Sequence, residues 1–223
     1  VHNYVHPETG ELITKERLEI KGLGKAKYIL KPGGTLGDLY TNSDLVYNDD
    51  GYIEVDKNGN VAVKDDYMDD IYLGSVFPKY NLAWRNDFNY KGINLGVLFT
   101  ARIGGICYSA TQANMDLYGV SEASAAARDA GGVMINGRDM IDAQKWYQVI
   151  GSQSGLPQYY TYSATNVRLQ ELSLGYTLPS KWFRDKMRMT VSFVGRNLWM
   201  IYCKAPFDPE AVASTGMNYQ GID

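Results

Sequence analysis

The stretch Leu82-Ala83-Trp84-Arg85-Asn86-Asp87-Phe88-Asn89-Tyr90, then Lys91-Gly92, then Ile93-Asn94-Leu95-Gly96-Val97-Leu98-Phe99-Thr100-Ala101-Arg102-Ile103, decides the fold class. In its first half, Leu82, Trp84, Phe88 and Tyr90 share one face, and Arg85, Asp87 and Asn89 share the other. In its second half, Ile93, Leu95, Val97, Phe99, Ala101 and Ile103 form an unbroken apolar row, while Asn94, Gly96, Leu98, Thr100 and Arg102 are mostly polar or small. Alternation with period 2 is the mark of a strand with unlike faces. Lys91-Gly92 reads as the turn joining two such strands. Each run is as long as the ~9–11 residues of a tilted membrane-crossing strand.

Working outward, two more strands follow. Leu172, Leu174, Tyr176 and Leu178 alternate with Glu171, Ser173, Gly175 and Thr177. Pro179-Ser180 opens a turn through Lys181–Lys186. Met189, Val191, Phe193, Trp199 and Ile201 then share a face against Thr190, Ser192, Val194, Arg196 and Leu198, more cleanly in the first half than in the second. Residues 104–165 break the pattern. Ser121 is placed to cap a helix ended by Gly131-Gly132, and a second helix fits Asp139 to Ile150. So long a connection carries function or a fold of its own. Residues 1–70 read as irregular, with room for short strands such as Lys27–Leu30 and a hairpin turned through Asp56-Lys57-Asn58-Gly59-Asn60. Residues 204–223 read as loop.

Short turns at one end of the strands and long loops at the other are the layout of a transmembrane barrel. The polar face would look outward in a soluble sandwich and into a wet lumen in a membrane barrel, and periodicity does not choose between them.

Composition narrows the function classes. The 223 residues carry a net charge of -3, which offers no electrostatic reason for a nucleic-acid partner. The 18 Tyr and 4 Trp suit strands and a membrane–water boundary. No stretch is long and apolar enough for a membrane-spanning helix, which leaves a barrel open. Cys107 and Cys203 are too far apart for a metal spacing and read as small apolar fillers. His2 and His6 lack the neighbours a metal site needs. The acids around Asp56 fail as a calcium loop, because Val61 stands where that loop needs Gly. There is no phosphate loop and no nucleophile elbow. The carboxylate pairs Asp49-Asp50, Asp65-Asp66 and Asp69-Asp70 sit in turn-like runs, where adjacent side chains diverge. No catalytic residue, metal or cofactor is expected, and the chain does not read as an enzyme.

Three groups of residues carry a family resemblance. The first is Tyr72-Leu73-Gly74-Ser75-Val76-Phe77-Pro78-Lys79 followed by Trp84–Lys91. The second is Val167-Arg168-Leu169-Gln170-Glu171-Leu172-Ser173-Leu174-Gly175-Tyr176-Thr177-Leu178-Pro179. The third is Val194-Gly195-Arg196-Asn197-Leu198-Trp199 with Ala205-Pro206-Phe207-Asp208-Pro209-Glu210 and Tyr219-Gln220-Gly221-Ile222-Asp223 behind it. In this order and spacing they resemble the SusC/RagA group of TonB-linked outer-membrane proteins, most clearly from about Gly33 to Asp223.

The resemblance implies an all-β chain with short helices in a long loop. Its antiparallel strands would form part of a large transmembrane β-barrel of a TonB-dependent transporter in the outer membrane of a Gram-negative bacterium. Residues 1–223 would be a partial C-terminal barrel segment: 1–70 irregular or hairpin, 71–203 barrel strands with the long loop 104–165, and 204–223 loop. No plug domain and no TonB-contacting segment is read in these residues, and the family's last strand would follow Asp223. The implied function is import of oligosaccharides or peptides with a SusD-like surface lipoprotein as lid and TonB as the source of energy, amid outer-membrane lipid. The alternative is a soluble β-rich binding or adhesion module. It is told apart by whether Ile93, Leu95, Val97 and Phe99 lie under a second layer.

Candidate lumen-facing residues are Arg85, Asp87, Asn94, Arg102, Glu171 and Arg196. They either line a solute path or pair structurally across strands or against a plug, with pairing the favoured role. Tyr159, Tyr160 and Tyr162 are candidate outer-rim aromatics, for the interface girdle ahead of sugar stacking. The two helices are candidates for contact with the lipoprotein lid or for simple loop packing.

Overall fold

A computed structural model describes residues 4–5, 10, 12–13, 17–65, 70–152, 154–184 and 186–210. His2, His6, Asp66, Asp69 and the run Tyr219–Asp223 lie outside the described residues. The principal elements, in chain order, are β1 (Leu18–Leu23), β2 (Ala26–Leu30), β3 (Asp38–Thr41), β4 (Ile71–Ser75), β5 (Tyr80–Tyr90) and β6 (Ile93–Ile103). Then come α1 (Ala110–Leu117), α2 (Glu122–Asp129), α3 (Ala143–Ile150), β7 (Asn166–Thr177) and β8 (Thr190–Cys203). They fall into two compact units, described separately below.

The first unit is residues 1–76, 106–162 and 210–223. Strands from the region read as irregular join β4, which opens the stretch read as barrel, in an antiparallel four-stranded sheet in the order β1-β2-β3-β4. Its strands are too short, and too often cut by glycine, to show a period in the sequence. Tyr28 and Leu39 from this sheet and Leu45 from the short strand Asp44–Leu45 close one core with Tyr108, Trp146, Ile150, Leu156 and Tyr160 from the connection after β6. That connection therefore folds jointly with residues that precede β5.

Each helix starts on a side-chain cap. Ser109, Ser121 and Asp142 accept hydrogen bonds from the backbone N–H of Gln112, Ser124 and Lys145. α2 matches the expected helix, but α3 begins at Ala143 rather than Asp139. Residues Asp139–Ile141 instead pair with Val133–Ile135 in a hairpin. Asn136 and Gly137 turn it at positive φ (55° and 70°), the geometry Asn-Gly favours. Asn136 also bonds the backbone of Ile53 in both directions, accepting at 2.9 Å and donating at 3.0 Å, which ties this hairpin to the one turned at Asp56–Asn60.

The second unit is residues 77–105 and 163–209. It holds one antiparallel sheet in the order β8-β7-β6-β5. β6 runs the expected 11 residues, and β5 also has 11 because it begins at Tyr80, two residues ahead of the Leu82–Tyr90 run. Their turn has Lys91 at φ 48° and Gly92 at φ 88°, the paired positive values that match strand twist. Gly92 is required twice over, because a Cβ there would meet the Thr177 carbonyl at 2.8 Å.

Within the first unit, Tyr160 is 2% exposed and its hydroxyl donates to buried Asp116 at 3.0 Å. Burial, and then the Asp116 charge, push the Tyr160 phenol far above its ordinary value. Replacing Tyr160 with Phe removes this donor and leaves Asp116 the hydrogen bond from Gln112 Nε2 at 3.0 Å. The expected cost is about 1–3 kcal/mol, read as faster amide exchange in α1 and α3 with the β5–β8 sheet unchanged.

Candidate functional site

The register of the second unit sorts its side chains onto two faces, because directly opposed residues of antiparallel strands point the same way. On one face Ile93 pairs with Tyr90, Leu95 with Phe88, Val97 with the polar Asn86, Phe99 with Trp84, Ala101 with Leu82 and Ile103 with Tyr80. On β7 the same row continues through Tyr176, Leu174, Leu172, Leu169 and Val167, and on β8 through Val191, Phe193, Gly195, Trp199 and Tyr202. Among the described residues of this unit no second layer covers this face: Trp84 is 65% and Phe193 78% exposed.

Keeping one face apolar over this length takes irregularities. At Gln170 the β6 register slips by one, so that Phe99 meets Leu169 and Leu98 meets Glu171. Without that bulge, either Leu169 or Leu172 would turn to the polar side. β8 answers with Asn197 at φ 52°, a left-handed position that Asn tolerates. A second slip beside Ile201 brings Tyr202, rather than Ile201, onto the apolar row. These bulges are why the second half of β8 alternates poorly in the sequence. They also give Gly195-Arg196-Asn197 a structural role.

The other face carries all six candidate lumen residues: Arg85, Asp87, Asn94, Arg102, Glu171 and Arg196. Four of them form an ion-pair chain across the sheet. Arg85 reaches Asp87 at 3.0 Å and Glu171 at 3.5 Å, and Arg196 reaches Glu171 at 3.2 Å from the opposite side. Gly96 lies beneath this chain. A Cβ there would strike Ser173 Oγ at 2.5 Å and Asp87 Oδ1 at 2.9 Å, so glycine lets the pair lie down across β6. Toward the Lys91 end, Asn94 donates to Thr177 Oγ1, which bonds Thr190 Oγ1, both at 3.0 Å. Arg102 lies in the row of Asn166, at the opposite end of β6.

A partner missing from the sequence reading is Arg168, 5% exposed and held by both oxygens of Asp208 at 2.8 and 3.3 Å. That pair pins the Ala205–Glu210 motif back onto β7. Arg168 and Asp208 both stand in the quoted motifs, but nothing local marks them as partners.

The three rim aromatics are placed differently from expectation. Tyr160 is interior, Tyr162 packs against the core of the first unit, and Tyr159 stands edge-on to Trp146 at 5.9 Å. Burial also raises the Tyr159 phenol well above its usual value. The tyrosines at the two ends of the apolar face are Tyr80 and Tyr202 at one end and Tyr90 and Tyr176 at the other. Ten steps from Tyr80 to Tyr90, at about 3.3 Å each and a tilt of about 40°, rise about 25 Å, the height of an apolar band between aromatic girdles. A search for aromatics spaced ten apart on one strand face would have found them.

Among the described residues no cluster of His, Cys, Asp and Glu could hold a metal. Of the carboxylate pairs, Asp65 is engaged by Lys25, and Asp70 by Arg17 and Lys31.

Set against known proteins, the chain matches no family model. It is 24% identical over 163 residues to TonB-dependent receptor P3 of Formosa agariphila. That match covers 72% of this chain and 15% of the receptor, so the chain spans only a small part of its relative. Among solved structures, the RagAB peptide importer in its closed-closed state aligns with 89% of this chain and 24% of its own, at 17% identity and a TM-score of 0.49. Its open-open state aligns with 100% and 23%, at 17% identity and a TM-score of 0.46. The similarity to a TonB-dependent receptor agrees with the resemblance carried by the motifs.

The ion-pair chain yields a direct expectation. Glu171→Gln leaves Arg85 and Arg196 facing each other across one uncharged side chain. Both arginines are more than half exposed (52% and 74%), so water screens the pairs and the loss is small. A lowered urea midpoint with an unchanged slope is the expected reading.

Proposed function

We propose that this chain is barrel wall and outer loop of a TonB-dependent outer-membrane importer in a Gram-negative bacterium. The observation that carries this reading is a four-stranded sheet with one uncovered apolar face, ended by tyrosines, and one ion-paired polar face. Lipid is the neighbour for which such an apolar face needs no second layer. The polar face then looks into a wet lumen, where charges can be paired and hydrated together. The similarity to TonB-dependent receptor P3 supports the same reading. The soluble binding module would call for a layer over Ile93, Leu95, Val97 and Phe99.

The cargo in this proposal is an oligosaccharide or peptide too large for diffusion through a porin. A SusD-like surface lipoprotein lids the lumen, and TonB supplies energy through a segment of the transporter other than these residues. The first unit, with its own core, is the outer-loop material against which such a lid would close. Arg85, Asp87, Glu171 and Arg196 serve mainly to hold the wall. No enzymatic role belongs to this reading.

Fractionation of cells expressing the native gene product tests it. The protein should sediment with the outer membrane, resist extraction by alkaline carbonate and bring a surface lipoprotein with it on gentle solubilisation. Recovery in the soluble periplasmic fraction would sink the proposal. The two faces should also respond oppositely to charge. Val97→Arg places a cation on the lipid side at a cost of about 2–4 kcal/mol and should abolish heat-modifiable folded barrel on gels. Leu98→Arg, next in sequence but on the lumen side between Arg85 and Glu171, should leave the folded band in place.

A further inference from the structure

The connection from β7 to β8, residues 178–189, lies at the same end of the sheet as the Lys91-Gly92 turn. Thr177 N–H donates to the Gly92 carbonyl at 2.6 Å, and Leu178 N–H to the Met189 carbonyl at 2.9 Å. The chain as a whole has an excess of acids, with a net charge of -3, yet this end is strongly basic. Lys91, Lys181, Arg184, Lys186 and Arg188 gather there, and in the sequence of residues 178–189 one acid stands against four cations. All five cations are exposed, and among the described residues none has an ion-pair partner.

Apolar and aromatic side chains are interleaved with them. Trp182 is 70% exposed, Met187 53% and Met189 44%. Tyr90 ends the apolar face here, with the Lys91 ammonium 5.2 Å from its ring centre. A soluble turn has no use for an exposed Trp and two exposed Met among cations. A bilayer boundary does: rings sit at the headgroup level and long cationic side chains reach the phosphates. The lumen side of this end is separate. Arg188 lines an open concavity of about 700 Å³ there with Asn94, Thr177 and Thr190, which leaves Lys181, Arg184 and Lys186 as the cations carried by the turn itself.

We propose that the 178–189 turn is a docking patch for anionic phospholipid headgroups, with Trp182 seated at the headgroup level and Lys181, Arg184 and Lys186 bound to phosphates. It acts on the leaflet at the turn end of the strands. This rests on the barrel reading above and adds the lipid class that the turn selects.

The test is insertion of the full-length protein into phosphatidylcholine vesicles with and without phosphatidylglycerol, each lipid supplied in turn as its brominated form. Quenching of Trp182, isolated by subtraction of the Trp182→Phe variant, reports which lipid lies beside the turn. Brominated phosphatidylglycerol should quench in clear excess over its share of the lipid, and high salt should remove the excess. The triple variant Lys181→Gln, Arg184→Gln, Lys186→Gln should lower the preference by about tenfold or more while still inserting. Full insertion with equal quenching by both lipids, in the native protein as in the triple variant, overturns the docking patch and leaves the barrel intact. Failure to insert into either vesicle overturns the barrel reading and the patch with it.

Discussion

Four hydrogen-bonded strands carry a row that is apolar but for Asn86 and that no second layer covers among the described residues of the unit, and the rest of the second unit follows from keeping that row on one face. A side-chain period of 2 means that a slip of one residue moves a whole strand to the wrong face. The sheet therefore needs its turn and its bulges in fixed places. Lys91-Gly92 sets the register of β5 on β6. The extra residue at Gln170 resets β7, and Asn197 in a left-handed conformation resets β8. Each irregularity gives up local ladder regularity to preserve the long-range separation of faces.

The polar face is organised by the same register. Arg85, Glu171 and Arg196 come from three strands, yet they meet because the Gln170 bulge puts Glu171, rather than its neighbour, opposite Leu98. Gly96 clears the floor beneath them. Arg168, deeply buried, is matched with Asp208 by two hydrogen bonds, which spares the sheet an unpaired interior charge. The motif residues Arg168, Glu171, Arg196 and Asp208 are thus all engaged in ion pairs within this unit.

The first unit follows a different logic. It has a conventional interior, with capped helices and a buried Tyr160–Asp116 hydrogen bond. Residues before β5 and residues between β6 and β7 build it jointly. Gln158 donates to the Ser43 carbonyl and to Asp44 across 115 and 114 positions of sequence, and Asn136 binds Ile53 across 83. Long connections can carry their own core only when segments this distant are brought together.

The sequence by itself determined the antiparallel strands of the second unit, their two faces, the turn at Lys91-Gly92 and the helix capped by Ser121. All are encoded by residues within a few positions of one another, through the strand period, positive-φ turn residues and capping. It placed Arg85, Asp87, Asn94, Arg102, Glu171 and Arg196 on one face for the same reason. Only the tertiary structure decided how the short strands β1–β4 of residues 18–75 pair into one sheet, that Tyr160 is interior, and that Arg168 belongs with Asp208. It also decided that Asp139–Ile141 is a strand and not the first turn of α3. Those outcomes depend on which distant segment supplies the opposing surface, and no local pattern of side chains specifies that.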